Sequence, residues 1–176
     1  MIRATAKVLK KLKAEVVENP PQSSGVLGDW YCNFAIIQKQ HLLICVSQKT
    51  LLPIVLPAKD FASFPDRLRN ELGEVLAKIG VSDQKIATEL TGMESVVISK
   101  TASRQVLGSM NDFLHLLDAM LDRSTPTSQM IWRLGDAPCS PIKMSTPLQE
   151  TARVFDVGQA WVKKKPHQLK LIKSEL

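Results

Sequence analysis

The chain has few of the residues that build covalent or metal-bound frameworks. Its 176 residues include three cysteines, Cys32, Cys45 and Cys139. They are odd in number and form no CxxC pair, which excludes a disulfide scaffold and a zinc knuckle. All three are expected as small core residues. The histidines His41, His115 and His167 stand apart from one another, and no motif calls for a metal or another cofactor. Neither GxxxxGK[ST] nor GxGxxG occurs, so the standard phosphate-cradling loops are missing. Apolar runs such as Leu42 to Val46 are only a few residues long, too short for a membrane-spanning helix. The opening residues MIRATAKVLKK hold no apolar stretch of the secretory kind. A protein kept in the cytosol, without membrane attachment, is expected.

What is present fits a soluble globular chain, with 44% hydrophobic and 23% charged residues. That composition and length suit one domain able to bury most of its apolar surface. Residues 1–160 are read as a single domain and residues 161–176 as a basic, flexible tail. The net charge of +6 is uneven. Arg3, Lys7, Lys10, Lys11 and Lys13 place +5 in the first 13 residues; five lysines against Glu175 place +4 in residues 161–176, leaving −3 for residues 14–160. An acidic body with cationic ends suits attachment to an anionic partner better than a base-reading core does. Lysine-rich ends also serve solubility alone.

Periodicity supplies the elements. Ile2 to Ala4 reads as a short strand, followed by a helix from Ala6 to about Val17, whose Val8, Leu9, Leu12 and Val16 share one face. Residues 29–56 read as a three-stranded meander. Its hairpin turns near Lys39 and Gln40, which sets Phe34 opposite Cys45 for a two-residue loop, and Pro53, lacking an N–H, falls at an edge or at a strand end. Asp60 is the expected cap of a helix ending at Gly80. A shorter helix runs from Asp83 to Leu90, a strand from Val96 to Ser99, and a long helix from Ser103 to about Arg123. Half of the ten prolines lie between Thr125 and Pro166, so that region reads as loop with one short helix near Thr146 to Phe155. The fold class expected is α+β, a small, largely antiparallel sheet packed against about three main helices.

Three patches carry chemistry. In SKTASRQ, Lys100 and Arg104 bring cations, Thr101 and Ser103 bring hydroxyls, and the helix start brings free N–H groups; together these suit a phosphate or carboxylate. Capping and solvation account for the same residue types. In GDWYCNF, Trp30 and Tyr31 face opposite sides of a strand. Core packing of the tryptophan is one reading; an exposed aromatic beside Asp29 or Asn33, suited to base stacking or protein contact, is the other. Asn111 and Asp112 with His115 form the third patch, the last two placed three apart on a helix. No nucleophile at a recognisable elbow accompanies them.

The blocks MIRATAKVLKKLK, LGDWYCNF, QKTLLP and ISKTASRQVLGSMNDF, in that order, resemble a family of small bacterial proteins classed as a domain of unknown function, with a GDWY-type block and a TxxRxVLGSMND-type block. The resemblance covers roughly residues 1–120. It implies a bacterial origin and no assigned activity, and so transfers no catalytic residue. A similar GSMND phrase in some plasmid-encoded proteins implies a link to mobile elements. Two functions are compatible with these residues. The first is a non-catalytic module that binds nucleic acid or an acidic protein through Lys100, Arg104 and the basic ends. The second is a small enzyme acting on a phosphorylated or carboxylated ligand held by Lys100 and Arg104, with Asp112 or His115 as general base. A homodimer through the helix from Arg104 is compatible with either.

Overall fold

A computed structural model describes residues 1–158 other than 22, 121 and 123. The tail expected at 161–176 lies outside the described residues. Five strands pair in the order β4-β3-β2-β1-β5: β1 (Ile2–Ala4), β2 (Trp30–Ile37), β3 (Gln40–Ser47), β4 (Pro53–Pro57) and β5 (Ile98–Lys100). The β2–β3–β4 meander is antiparallel, and Pro53 and Pro57 fall in the edge strand, where a missing N–H is tolerated. In contrast, β1 runs parallel to both β2 and β5. The sheet is therefore mixed, which corrects the largely antiparallel expectation. A three-residue strand carries no directional signal of its own. The helix between β1 and β2 makes their connection a crossover, and a crossover returns the chain parallel.

Among the described residues six α-helices accompany the sheet, in place of about three: α1 (Ala6–Leu12), α2 (Phe64–Ile79), α3 (Asp83–Thr91), α4 (Arg104–Met120), α5 (Thr127–Gly135) and α6 (Pro147–Val154). Helix α1 stops well short of Val17. Lys13 turns left-handed at φ 51° and its N–H bonds the Leu9 carbonyl; the chain then runs beside β5, where the Val17 N–H reaches the Ile98 carbonyl at 2.8 Å. The stripe of Val8, Leu9 and Leu12 was correctly placed, but Val16 belongs to this extended stretch. Asp60 does not cap α2. It has φ 46°, and Ser63 holds the cap position. Helix α5 lies in the stretch that its prolines mark as loop. Pro126 in fact occupies its N-cap, a position with no helical N–H to lose. Helix α6 begins with a reciprocal cap, the Gln149 N–H donating to Thr146 Oγ1 and the Thr146 N–H to Gln149 Oε1.

Strand alternation assigns the helices to faces. Phe34 lies within cation–π distance of Lys11 on α1 and in ring contact with Phe61 just before α2, so these elements cover one face. Tyr31 points the other way, to the residues that start α4. Buried hydroxyls and one carboxylate tie the periphery down. Thr151 on α6 donates to Thr50, which pairs with Ser47 at the end of β3. Glu89 on α3 is buried and accepts the N–H groups of Val26 and Leu27, tying α3 to the loop before β2.

The β2–β3 hairpin turns through Gln38 and Lys39, at φ 48° and 66°, one residue earlier than expected. Cys32 rather than Phe34 therefore faces Cys45, and Phe34 faces Leu43. Two consecutive positive φ values suit the strand twist, yet side chains in this region cost about 1 kcal/mol each. Lys39→Gly should raise stability by about 0.5–1 kcal/mol, read as a higher urea midpoint at unchanged m-value.

Candidate functional site

Arg3 is the organising side chain of the GDWY block. Its Nε donates to Asp29 Oδ2 at 2.8 Å and its Nη1 to the Lys100 carbonyl at 3.2 Å, so one guanidinium bridges β1, the entry to β2, and the end of β5. Asp29 is buried, and its Oδ1 has no hydrogen-bond partner among the described residues. Trp30 and Tyr31 are each only 1% exposed; neither is available for stacking, which decides that alternative for the core. Burial pushes the Tyr31 hydroxyl above its ordinary pKa, opposed by Arg3 and by the backbone N–H groups of Ser103 and Ala102 that face it.

That contact changes the character of the strand-to-helix junction. Tyr31 lies against two of the N–H groups before α4, and Ser103 Oγ accepts the Val106 N–H at 3.3 Å. Much of the local donor capacity is thus taken up internally, with the Asp29 carboxylate one guanidinium away. Lys100 registers with Ala4 and Cys32 through β1, so alternation sends its side chain toward the α1 face. Arg104 begins α4 on the opposite face. The two cations are not brought together as a clamp. Thr101 is half-buried in the junction.

Arg104 instead lines a cleft of about 390 Å³ between α4 and residues 137–144, with Gln105, Gly108, Ser109, Asp112 and Cys139 among its walls. This is where the GSMND block faces, and a Cβ at Gly108 would meet nothing within 4 Å. His115 does not line the cleft. Asn111, Asp112 and His115 are exposed, and no side-chain hydrogen bond joins them among the described residues. Burial and the Asp112 charge push the Cys139 thiol up to about 11, where almost none is thiolate at neutral pH. Cys32 and Cys45 lie Sγ to Sγ at 2.8 Å, fully buried, and burial raises Cys32 well above the ordinary thiol range.

A larger cleft, about 890 Å³, lies on the other face, between α1 and the β2–β3 hairpin. Its lining is Lys7, Lys10, Lys11, Lys13, Phe34, Ala35, Ile36 and Phe61. All four lysines are exposed, and none has an ion-pair partner among the described residues. Lys11 Nζ sits 4.6 Å from the Phe34 ring centroid and 5.5 Å from that of Phe61. Phe34 in turn meets Phe61 at 6.2 Å and His41 edge-on at 5.8 Å, while Ile36 is 59% exposed. The N-terminal charge was evident in the sequence. Its aromatic floor was not, because Phe34 reads as a core position by alternation and Phe61 lies 27 residues beyond Phe34.

Among the described residues, no group of three or more His, Cys, Asp or Glu side chains is arranged to hold a metal, and no helix is long and apolar enough to cross a membrane. The sequence family described as a domain of unknown function (DUF6933) matches residues 1–150, and the chain belongs to it. No curated protein and no solved structure matches the chain.

Two measurements probe these arrangements. Arg3→Met should cost about 2–4 kcal/mol in urea denaturation, because it strands a buried carboxylate, whereas Asp29→Asn should cost less. Native protein should react negligibly with a thiol reagent at pH 8; Cys139 becomes reactive only as pH rises toward 11, and all three thiols react on unfolding.

Proposed function

We propose that this member of the DUF6933 family is a binding module for an anionic macromolecule, engaged through the lysine face of α1, and that it performs no covalent chemistry of its own. One observation carries the reading: the larger cleft presents four ammonium groups and no carboxylate. Cations converging on a concave surface raise the local concentration of a polyanion and speed its capture. The N-terminal charge is divided by the fold. Arg3 is spent internally on Asp29, and the lysines alone face outward. The enzymatic alternative finds less support. Its proposed cations lie on opposite faces, and the cleft that holds Arg104 and Asp112 lacks both Lys100 and His115.

Helix mechanics also favour lysines here. Lys10 and Lys11 occupy the last turn of α1, where the negative end of the helix dipole stabilises cations. Lys7 lies outside that turn, and Lys13 is the left-handed cap, so the dipole does not account for the whole set.

The test is retention on immobilised heparin. The wild-type chain should elute well above the salt needed to remove a protein of net charge near zero. The Lys7→Glu/Lys11→Glu variant should elute markedly earlier, and His115→Ala should elute with wild type. Equal retention of the lysine variant and wild type refutes the proposal.

A further inference from the structure

We infer that the anion held at the α1 cleft is a single-stranded nucleic acid whose bases rest on the Phe61–Phe34–His41 ring cluster while its phosphates meet the lysines; this rests on the anion-binding reading above. Charge alone would suit any polyanion. The floor discriminates. Phe34, Ala35, Ile36 and Phe61 form an apolar base beneath the four ammonium groups, with the exposed His41 ring abutting Phe34. A duplex turns its phosphates outward and keeps its bases stacked inside, so it would engage the lysines and leave that floor uncovered. A single strand offers both parts together, because its unstacked bases present flat π faces within one nucleotide of each phosphate. An acidic peptide matches the lysines and has no flat face for the rings.

The dimensions are consistent. Lys7 to Lys13 spans about 9 Å along a helix axis; an unstacked strand spaces its phosphates wider than the roughly 3.4 Å of a duplex strand, so the four lysines meet at most about three phosphates. Lys11 stands over both phenylalanine rings, at the level where a phosphate and its base diverge. Its cation–π contacts hold the ammonium in place, and a phosphate can draw it off the ring face as a base arrives.

The experiment is fluorescence anisotropy of the full chain with labelled oligothymidylate, a labelled DNA duplex and labelled polyglutamate over a salt series. The single strand should bind at least about 10-fold tighter than the duplex and tighter than polyglutamate. Its log–log salt slope should be no steeper than about −2, since at most about three phosphates are contacted. Phe34→Leu and His41→Ala should each weaken single-strand binding by about 5- to 100-fold at unchanged slope, since both rings are assigned to bases and the phosphates to the lysines. Lys7→Gln should instead make the slope shallower. His41 is exposed, so His41→Ala keeps the test valid should Phe34→Leu fail to fold, as thermal unfolding would reveal. Equal affinity for duplex and single strand, or ring variants that bind like wild type, would overturn the stacking inference and leave anion binding intact. Preference for polyglutamate would overturn it in favour of an acidic protein. Absence of binding to all three probes at low salt would bring down the parent reading as well.

Discussion

The architecture depends on inserting Ile2–Ala4 between β2 and β5. This strand is three residues long, yet it is parallel-paired on both sides, and backbone bonds extend the pairing at its ends: the Trp30 N–H to the Met1 carbonyl, the Ile2 N–H to Val97, and the Thr5 N–H to Cys32. It alone joins the meander to β5 within the sheet. So short a strand is marginal by itself, and Arg3 supplies what the backbone lacks by bonding Asp29 on one side and the Lys100 carbonyl on the other. A side chain that bridges both neighbours fixes register as well as proximity, since a one-residue slip would turn Arg3 to the other face.

Placement of the lysines follows from that insertion. Because β1 leads at once into α1 and returns to the adjacent β2, the helix must cross the sheet beside β2. Val8 is the fully buried contact, with Leu9 and Leu12 packed against the core; Lys7, Lys10 and Lys11 lie on the exposed side, beside Phe34. The same crossover that closes the sheet thus brings a cationic helix and an aromatic surface together.

In the conspicuous SKTASRQVLGSMNDF segment the Ser103 hydroxyl serves the α4 start and the Ala102 and Ser103 N–H groups face the buried Tyr31, while its helix supplies Val106, Met110, Phe113 and Leu117 to the core. Composition records which donors are present. Whether they are free depends on Tyr31, about 70 residues earlier, and no local pattern in the segment carries that information. The hairpin shows a smaller version of the same limit. Its strands were evident from residue type, but its turn lacks glycine and asparagine, so the register could be placed only to within a residue and the Cys32–Cys45 pairing was missed. Helix α5 was hidden for a related reason, because proline excludes a helix interior and not the residue before its first turn.

By itself the sequence determined the periodic helices, the meander, the edge position of the prolines and the concentration of positive charge near the N-terminus, because each follows from a residue's own geometry or charge or from neighbours within a few positions. Only the tertiary structure decided that the sheet is mixed, that Trp30 and Tyr31 are buried, that Lys100 and Arg104 part to opposite faces, and that Lys7, Lys10, Lys11 and Lys13 share a cleft with Phe34 and Phe61. Those outcomes depend on which surfaces meet when distant segments pack. Hydrophobic burial drives that packing and is non-directional, so an apolar stripe shows that a face will be covered without naming the partner that covers it.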